Sequence, residues 1–163
     1  LSDALLKALE ASEFAVPKKQ GSVLITVGSD EAKARIIGVA KALDELGFRI
    51  FATEHTAEAL RSVGLDRVTI LHKIRDQKEP NVLSHLIERK VDLVVNIPSR
   101  EDQWEGDGGS RRDEYIIRRL AVEFNIPIVT TLELSQAIAE ALTNKPRRIQ
   151  EPRSLNEYEA ALH

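Results

Sequence analysis

The chain changes from a strand pattern to a helix pattern within residues 51–60, FATEHTAEAL. An apolar run ends just before this stretch. In the second half of the stretch, apolar residues recur three and four positions apart, as on one face of a helix. Thr53 and Thr56 stand at the turn. The first turn of a helix has free N–H groups and the positive end of the helix dipole, and the two hydroxyls add donors. The stretch therefore predicts a turn that binds a phosphate or carboxylate, or else a helix capped by one hydroxyl.

The same alternation of strand and helix recurs five times along the chain. Strands rich in Val and Ile are predicted at residues 22–27, 49–52, 67–71, 91–96 and 126–130. Helices with apolar residues at 3.6-residue spacing are predicted at residues 31–46, 56–63, 81–89, 111–124 and 133–142. Apolar strands joined by helical crossovers form parallel sheets that are covered on both faces. The sequence therefore predicts an α/β fold, a three-layer sandwich with a five-stranded parallel sheet.

The chain divides into three segments. A helix predicted at residues 1–13 is broken at Pro17, so residues 1–20 form a helix and linker, residues 21–145 a single domain, and residues 146–163 a tail with a short helix. The chain starts at Leu1 and contains no Met. We therefore expect it to be a piece of a longer protein.

The composition narrows the classes of function. Charged residues make up 30% of the chain, no apolar run approaches the roughly 20 residues that span a bilayer, and no signal peptide is evident, so a cytoplasmic protein is expected. The net charge of -3 gives no reason to expect a nucleic-acid partner. The lack of Cys excludes disulfides and thiolate metal sites, and the four histidines lack the spacing of a metal motif, so no metal site is predicted.

Polar residues follow each of the five predicted strands. In parallel α/β sheets, ligands bind outside the carboxyl ends of the strands, at the point where the strand order reverses. The residues at those ends are Gly28-Ser29-Asp30, the turn at 53–56, His72-Lys73, residues 96–100 and Thr130-Thr131. Their hydroxyls, amide and cations suit a phosphorylated or carboxylated small molecule.

These residues resemble the methylglyoxal-synthase-like domain family, in the version that ends the large subunit of carbamoyl-phosphate synthases. The matching parts are Val23-Leu24-Ile25-Thr26-Val27, Asp30 with Lys33, Ala52-Thr53 with Thr56-Ala57, Lys73, Val94-Val95-Asn96, Ile117-Arg118-Arg119-Leu120-Ala121 and Thr130-Thr131-Leu132. The likeness spans almost the whole chain. Residues 5–9 look like the tail of the preceding synthetase region, and residues 154–158 look like the usual ending of that subunit.

The resemblance implies an allosteric domain of an ATP-dependent ligase, which makes carbamoyl phosphate for pyrimidine and arginine synthesis. It implies that ATP and Mg²⁺ act in the rest of the large subunit, that a glutaminase small subunit is a partner, and that this domain holds no cofactor. In similar proteins, UMP or IMP places its phosphate on the threonine loop. The corresponding phosphate ligands here would be Lys33, Thr53, Thr56 and Lys73, with Asn96 and Ser99 on the ribose or base side and Thr130 and Thr131 at the far end.

Two positions depart from the family pattern. The family loop usually has Gly directly before its second Thr, where this chain has His55, which bears on how closely the backbone can approach a phosphate. Members that respond to ornithine have a Tyr shortly before the Thr-Thr pair. Because the matching residue here is Ile128, an ornithine response is not expected.

Two other functions remain open. Methylglyoxal synthase eliminates phosphate from dihydroxyacetone phosphate and needs a carboxylate base. Asp30 and Lys33 resemble one of its elements, but Ser29 stands where it has His, and the segment with its catalytic Asp is missing after Thr56, so no turnover is expected. A plain interaction domain would keep the fold and bind no effector. Residues 100–113, with Trp104, are predicted as a loop that matches no known motif.

Overall fold

The structure, a computed structural model, describes residues 21–99 and 108–144, together with residue 4. Within these residues the strands are β1 Ser22–Val27, β2 Arg49–Thr53, β3 Thr69–Leu71, β4 Leu93–Ile97 and β5 Ile128–Val129. The helices are α1 Asp30–Glu45, α2 Glu54–Arg61, α3 Val82–Ile87, α4 Gly108–Glu123 and α5 Leu132–Thr143, with a 3₁₀ turn at Ile74–Asp76. The predicted N-terminal helix, the C-terminal tail and Trp104 lie outside the described residues.

The five strands form one sheet in which all neighbours are parallel, in the order β3-β2-β1-β4-β5. The chain moves outward from β1 to β2 and β3, and then returns to the other side of β1 with β4. The strand order therefore reverses at β1 and β4, where the crossovers leave a crevice at the carboxyl ends of the strands. The predicted five-stranded parallel sheet is confirmed.

Helices cover both faces of the sheet, because consecutive strand residues point to opposite faces. On one face, Val23 and Ile25 of β1 belong to a core that includes residues of α1, α2 and α5. On the other face, Leu24 of β1 and Val94 of β4 belong to a second core with residues of α3 and α4. This arrangement is the predicted three-layer sandwich.

Three strands are shorter than predicted: β4 covers residues 93–97 instead of 91–96, and local contacts shorten β3 and β5. The strand predicted at 67–71 begins only at Thr69, because the carbonyl of Val68 accepts a hydrogen bond from the Arg61 guanidinium at 2.7 Å. The strand predicted at 126–130 has only two residues. The N–H of Ile126 donates to the carbonyl of Ala121 at the end of α4, at 2.7 Å, and Pro127 has no N–H to give to the sheet.

Two helices begin two or more residues earlier than predicted. α2 starts at Glu54 instead of residue 56, so Thr56 lies inside its first turn. α4 starts at Gly108 instead of residue 111, so the predicted loop at 100–113 is wrong for residues 108–113. The Gly-Gly-Ser that opens α4 has a low helix propensity, which explains why the sequence pattern placed the start too late.

None of the helices in the described part of the chain is both long enough and apolar enough to cross a membrane.

Candidate functional site

A cavity of about 180 Å³ lies at the carboxyl ends of β1, β2 and β4, at the reversal of strand order. The residues that line it are Thr26, Val27, Gly28, Lys33, Thr53, His55, Thr56, Lys73, Ile74, Val82, Asn96, Ile97, Asp113, Glu114 and Ile117. The volume is about six times the ~30 Å³ that one water occupies in the liquid. The cavity therefore has room for a small organic ligand rather than a single ion.

Thr53 stands at the N-cap position of α2, but its hydroxyl does not cap the helix. Its backbone is extended, with φ of -70° and ψ of 158°, and its side chain makes no capping hydrogen bond. The first-turn N–H groups of α2 have no partners within the helix, as at any helix start. The Thr53 hydroxyl and these N–H groups are therefore available at the cavity. The alternative that the Thr53 hydroxyl only caps the helix does not hold.

Thr56 is buried in the first turn of α2, with a relative exposure of 1%. Its hydroxyl oxygen accepts a hydrogen bond from the N–H of Val27 at 3.3 Å, which ties α2 to the end of β1. Because the oxygen accepts this bond, its own proton is available to a ligand. Thr56 therefore combines a structural contact with a donor at the cavity.

Lys33 and Lys73 bring positive charge to the cavity from two different elements. Lys33 lies in α1, and its Nζ donates to Asp30 Oδ1 at 3.0 Å. Asp30 is 98% exposed and does not line the cavity, so this ion pair is weak and leaves Lys33 available to an anion. Lys73 precedes the 3₁₀ turn, in a loop closed by a hydrogen bond from the N–H of His72 to the carbonyl of Pro80 at 2.9 Å.

Asn96 ends β4 and is almost fully buried, at 1% exposure. Its Oδ1 accepts the hydroxyl proton of Thr26 on the neighbouring strand β1, at 2.8 Å. Its Nδ2 is buried and has no hydrogen-bond partner among the described residues. A buried donor without a partner is costly, so Nδ2 is suited to a ligand acceptor.

The remaining predicted residues, Ser99, Thr130 and Thr131, line a second depression that also includes residues of α1 and α5. Thr131 caps α5, and its hydroxyl oxygen accepts the N–H of Leu134 at 3.3 Å. Ser99 packs beneath Gly28, where an added Cβ would lie 2.5 Å from the Ser99 nitrogen. The structure therefore divides the predicted site residues between two depressions.

The backbone at position 55 does not require a glycine. It lies at the second position of α2 in helical backbone, and the described non-glycine residues with positive φ are Gln77, Arg89 and Asn125. Its side chain is 69% exposed, with Nδ1 3.5 Å from Glu58 Oε2. Because the first-turn N–H groups are offered by ordinary helical backbone, His55 leaves the approach of an anion open.

Two carboxylates of α4, Asp113 and Glu114, also line the cavity, and the sequence interpretation missed them. Burial raises the pKa of Asp113 above its ordinary value, and the charge of Arg75, a hydrogen bond from the Arg75 backbone and the charge of Lys73 oppose that rise. The signal was present in the sequence, since Asp113 lies four residues before Ile117 on the same helix face. It was missed because candidate residues were sought at the strand ends and in the family motifs, whereas Asp113 lies on the helix predicted at 111–124.

The cavity thus gathers two ammonium groups, two hydroxyls and the positive end of α2, which together can bind an anionic group such as a phosphate. Among the described residues, no group of three or more His, Asp or Glu side chains is placed to hold a metal ion.

Comparison with known proteins identifies one matching family model and several relatives. The family model described as "MGS-like domain" matches residues 35–130. The carbamoyl phosphate synthase large chain of Agathobacter rectalis is 34% identical over 139 residues, which is 85% of this chain and 12% of that protein. The large chain of Clostridium botulinum (strain Alaska E43) is 36% identical over 140 residues, 86% of this chain and 12% of that protein. The large chain of Clostridium beijerinckii is 34% identical over 145 residues, 89% of this chain and 13% of that protein.

This chain therefore spans only 12–13% of the length of these relatives. The family match begins within α1 and continues past β5, so it covers α2, β4 and α4 at the cavity and does not include β1 or Lys33. By the family match and by its fold, the chain belongs to the MGS-like domain family.

Proposed function

We propose that this chain is the effector-binding domain of a carbamoyl-phosphate synthase large chain, and that it binds an anionic nucleotide such as UMP or IMP. The observation that carries the proposal is the group of donors around one cavity at the strand-order reversal: Lys33, Thr53, Thr56, Lys73 and the first turn of α2. A phosphomonoester carries two negative charges near neutral pH and several acceptor oxygens, which matches this set.

In this proposal the bound nucleotide shifts an equilibrium of the attached synthetase between states of different activity. An effector can shift such an equilibrium only by as much as it prefers one state, typically 1–3 kcal/mol of coupling. The rest of the large chain, which would use ATP and Mg²⁺, and a glutaminase small subunit are the partners that the proposal requires. The similarity to large chains over most of this chain supports it.

A second candidate function is favoured by one observation, the two carboxylates of α4 at the cavity. A carboxylate beside a bound phosphate is what methylglyoxal synthase needs to remove a proton from dihydroxyacetone phosphate. We still expect no turnover, because the chain lacks the segment after Thr56 and the His at position 29 that the resemblance would require. Methylglyoxal production that is lost in Asp113→Asn would establish the second function instead.

The test of the proposal is a thermal-shift screen of the chain with UMP, IMP, ornithine, acetylglutamate and inorganic phosphate. A ligand at 100 times its Kd adds about 2.7 kcal/mol to the free energy of unfolding, which is readily measured. We expect UMP or IMP to raise the melting temperature and ornithine to leave it unchanged. If no phosphorylated ligand raises it, the chain is a plain interaction domain and the proposal is wrong.

A further inference from the structure

Asp113 places a carboxylate on the wall of the cavity that gathers the cations. It lies in α4 and lines the same cavity as Lys33, Thr53 and Lys73. A sphere of the cavity's volume is only about 7 Å across, less than the roughly 8 Å over which physiological salt screens charges. A bound anion and an ionised Asp113 therefore repel each other with little screening.

The carboxylate of Asp113 is poorly stabilised in its ionised form. The residue is only partly buried, but its Oδ2 is shielded from solvent and makes no hydrogen bond within the described part of the chain. The Arg75 backbone donates one hydrogen bond to the carboxylate. Because a shielded oxygen without a donor favours the neutral acid, burial raises the pKa of Asp113 above its ordinary value.

The charged groups that act on Asp113 come mainly from the turn after β3. The positive charges of Arg75 and Lys73 lower its pKa, and the negative charge of Asp76 raises it. The other titratable groups that line the cavity stand on three helices and are Lys33 on α1, His55 on α2 and Glu114 on α4. Since Lys73 attracts both Asp113 and an anion in the cavity, the two negative groups compete for one cation.

We infer that Asp113 is an internal competitor for the anion, and that the cavity takes up a proton at Asp113 when an anion binds. The inference rests on the proposed function for the position of the anion, and it adds a regulation of that site by pH. Protonated Asp113 carries no charge and leaves Lys73 to the anion.

The sign of the pH dependence follows from the repulsion. An anion in the cavity raises the pKa of Asp113 further, because a like charge disfavours the ionised form. By linkage, the affinity for the anion falls as pH rises from the pKa of Asp113 in the free chain to its pKa in the complex. Each unit by which binding raises this pKa corresponds to a tenfold change in affinity across that window.

The probe is sulfate, which stays a dianion throughout, whereas a phosphomonoester gains a proton at about pH 6. Equilibrium dialysis of labelled sulfate with the full chain, at constant ionic strength, gives the Kd between about pH 5 and about pH 8. We expect the Kd to rise roughly tenfold over this range. Heats of binding in two buffers of different ionisation enthalpy give the proton uptake directly, without a variant, and we expect uptake at the acid end.

Asp113→Asn should remove most of the pH dependence and bind sulfate more tightly than the unmodified chain at the alkaline end. Asp66→Asn is the matched control, because Asp66 is an exposed carboxylate that does not line the cavity, and it should keep the pH dependence. His55→Gln separates the other group at the cavity that titrates near neutral pH, and it should also keep most of the dependence.

The failures of the two proposals are distinguishable. A Kd for sulfate that does not change with pH, binding without proton uptake, or an equal pH dependence in Asp113→Asn overturns the role of Asp113. So does a chain that binds UMP but binds sulfate at no pH, because protonation of Asp113 should open the cavity to a simple anion. If neither UMP nor sulfate binds at any pH, the proposed function itself fails.

Discussion

Thr53→Val and Thr56→Val make the same change at two residues of the cavity, and we expect different results. The hydroxyl of Thr53 makes no capping hydrogen bond, and Val keeps its β-branched shape, so the melting temperature without ligand should hardly change. A hydrogen bond to a charged group is worth about 1.5–3 kcal/mol. Loss of that bond should raise the Kd for UMP roughly ten- to a hundredfold.

Thr56→Val should also destabilise the unliganded chain. Thr56 is buried and accepts the N–H of Val27 at 3.3 Å, and Val leaves this N–H without its acceptor. An unsatisfied buried donor costs about 1–3 kcal/mol. Since 1 kcal/mol shifts the melting temperature of a chain of this size by roughly 2–4 °C, we expect a decrease of roughly 2–12 °C together with weaker binding.

The assay is calorimetric titration with UMP at fixed ionic strength, with melting curves of the unliganded variants. Thr69→Val is the matched control, because Thr69 is an exposed residue at the start of β3, at the opposite end of the sheet from the cavity. An unchanged Kd for UMP in Thr53→Val would show that the Thr53 hydroxyl does not bind the ligand. A decrease in melting temperature in Thr53→Val as large as that in Thr56→Val would show that this hydroxyl is structural. Either result would contradict the prediction.

Three further predictions concern Asp113, Gly28 and Lys33. Burial raises the pKa of Asp113 in the folded chain above the ordinary 3.8, so its contribution to the free energy of unfolding falls as pH rises from that value through the raised one. Asp113→Asn should therefore gain stability relative to the unmodified chain over that pH window in urea titrations, and a pH-independent difference would contradict this. Gly28→Ala places a Cβ 2.5 Å from the Ser99 nitrogen and should lower the free energy of unfolding by about 1–3 kcal/mol. A lower urea midpoint would show this loss, and an unchanged midpoint would contradict it. Lys33→Ala should weaken the binding of inorganic phosphate and reduce the salt dependence of that binding. The melting temperature should change little, because the ion pair that is lost involves Asp30, which is 98% exposed. Unaltered phosphate affinity would show that Lys33 is not part of the site.

Apolar periodicity was sufficient to predict the sheet and the edge of the sheet at which the cavity lies. The run Val23-Leu24-Ile25-Thr26-Val27 is buried on both faces, as a central parallel strand requires, and β1 begins and ends as predicted. The carboxyl-end rule then identified Thr53, Thr56, Lys73 and Asn96, because it depends only on where strands end. These residues do line one cavity.

The rest depended on contacts that no local pattern contains. The bond between Thr56 and the N–H of Val27 joins residues 29 positions apart, and the division of Ser99 and Thr131 into a second depression depends on how β4, α1 and α5 pack. Asp113 was missed because it lies on the predicted helix at 111–124 and not at a strand end, and only the packing of α4 against the sheet brings it to the cavity. Tertiary packing decided each of these points.

A crystal structure of the chain with UMP would show whether the first turn of α2 holds a phosphate. We expect phosphate oxygens within hydrogen-bond distance of the Thr53 hydroxyl and the first-turn N–H groups of α2, with Lys33 and Lys73 beside them. UMP bound elsewhere, with only water at Thr53 and Thr56, would show that this turn is not the phosphate site.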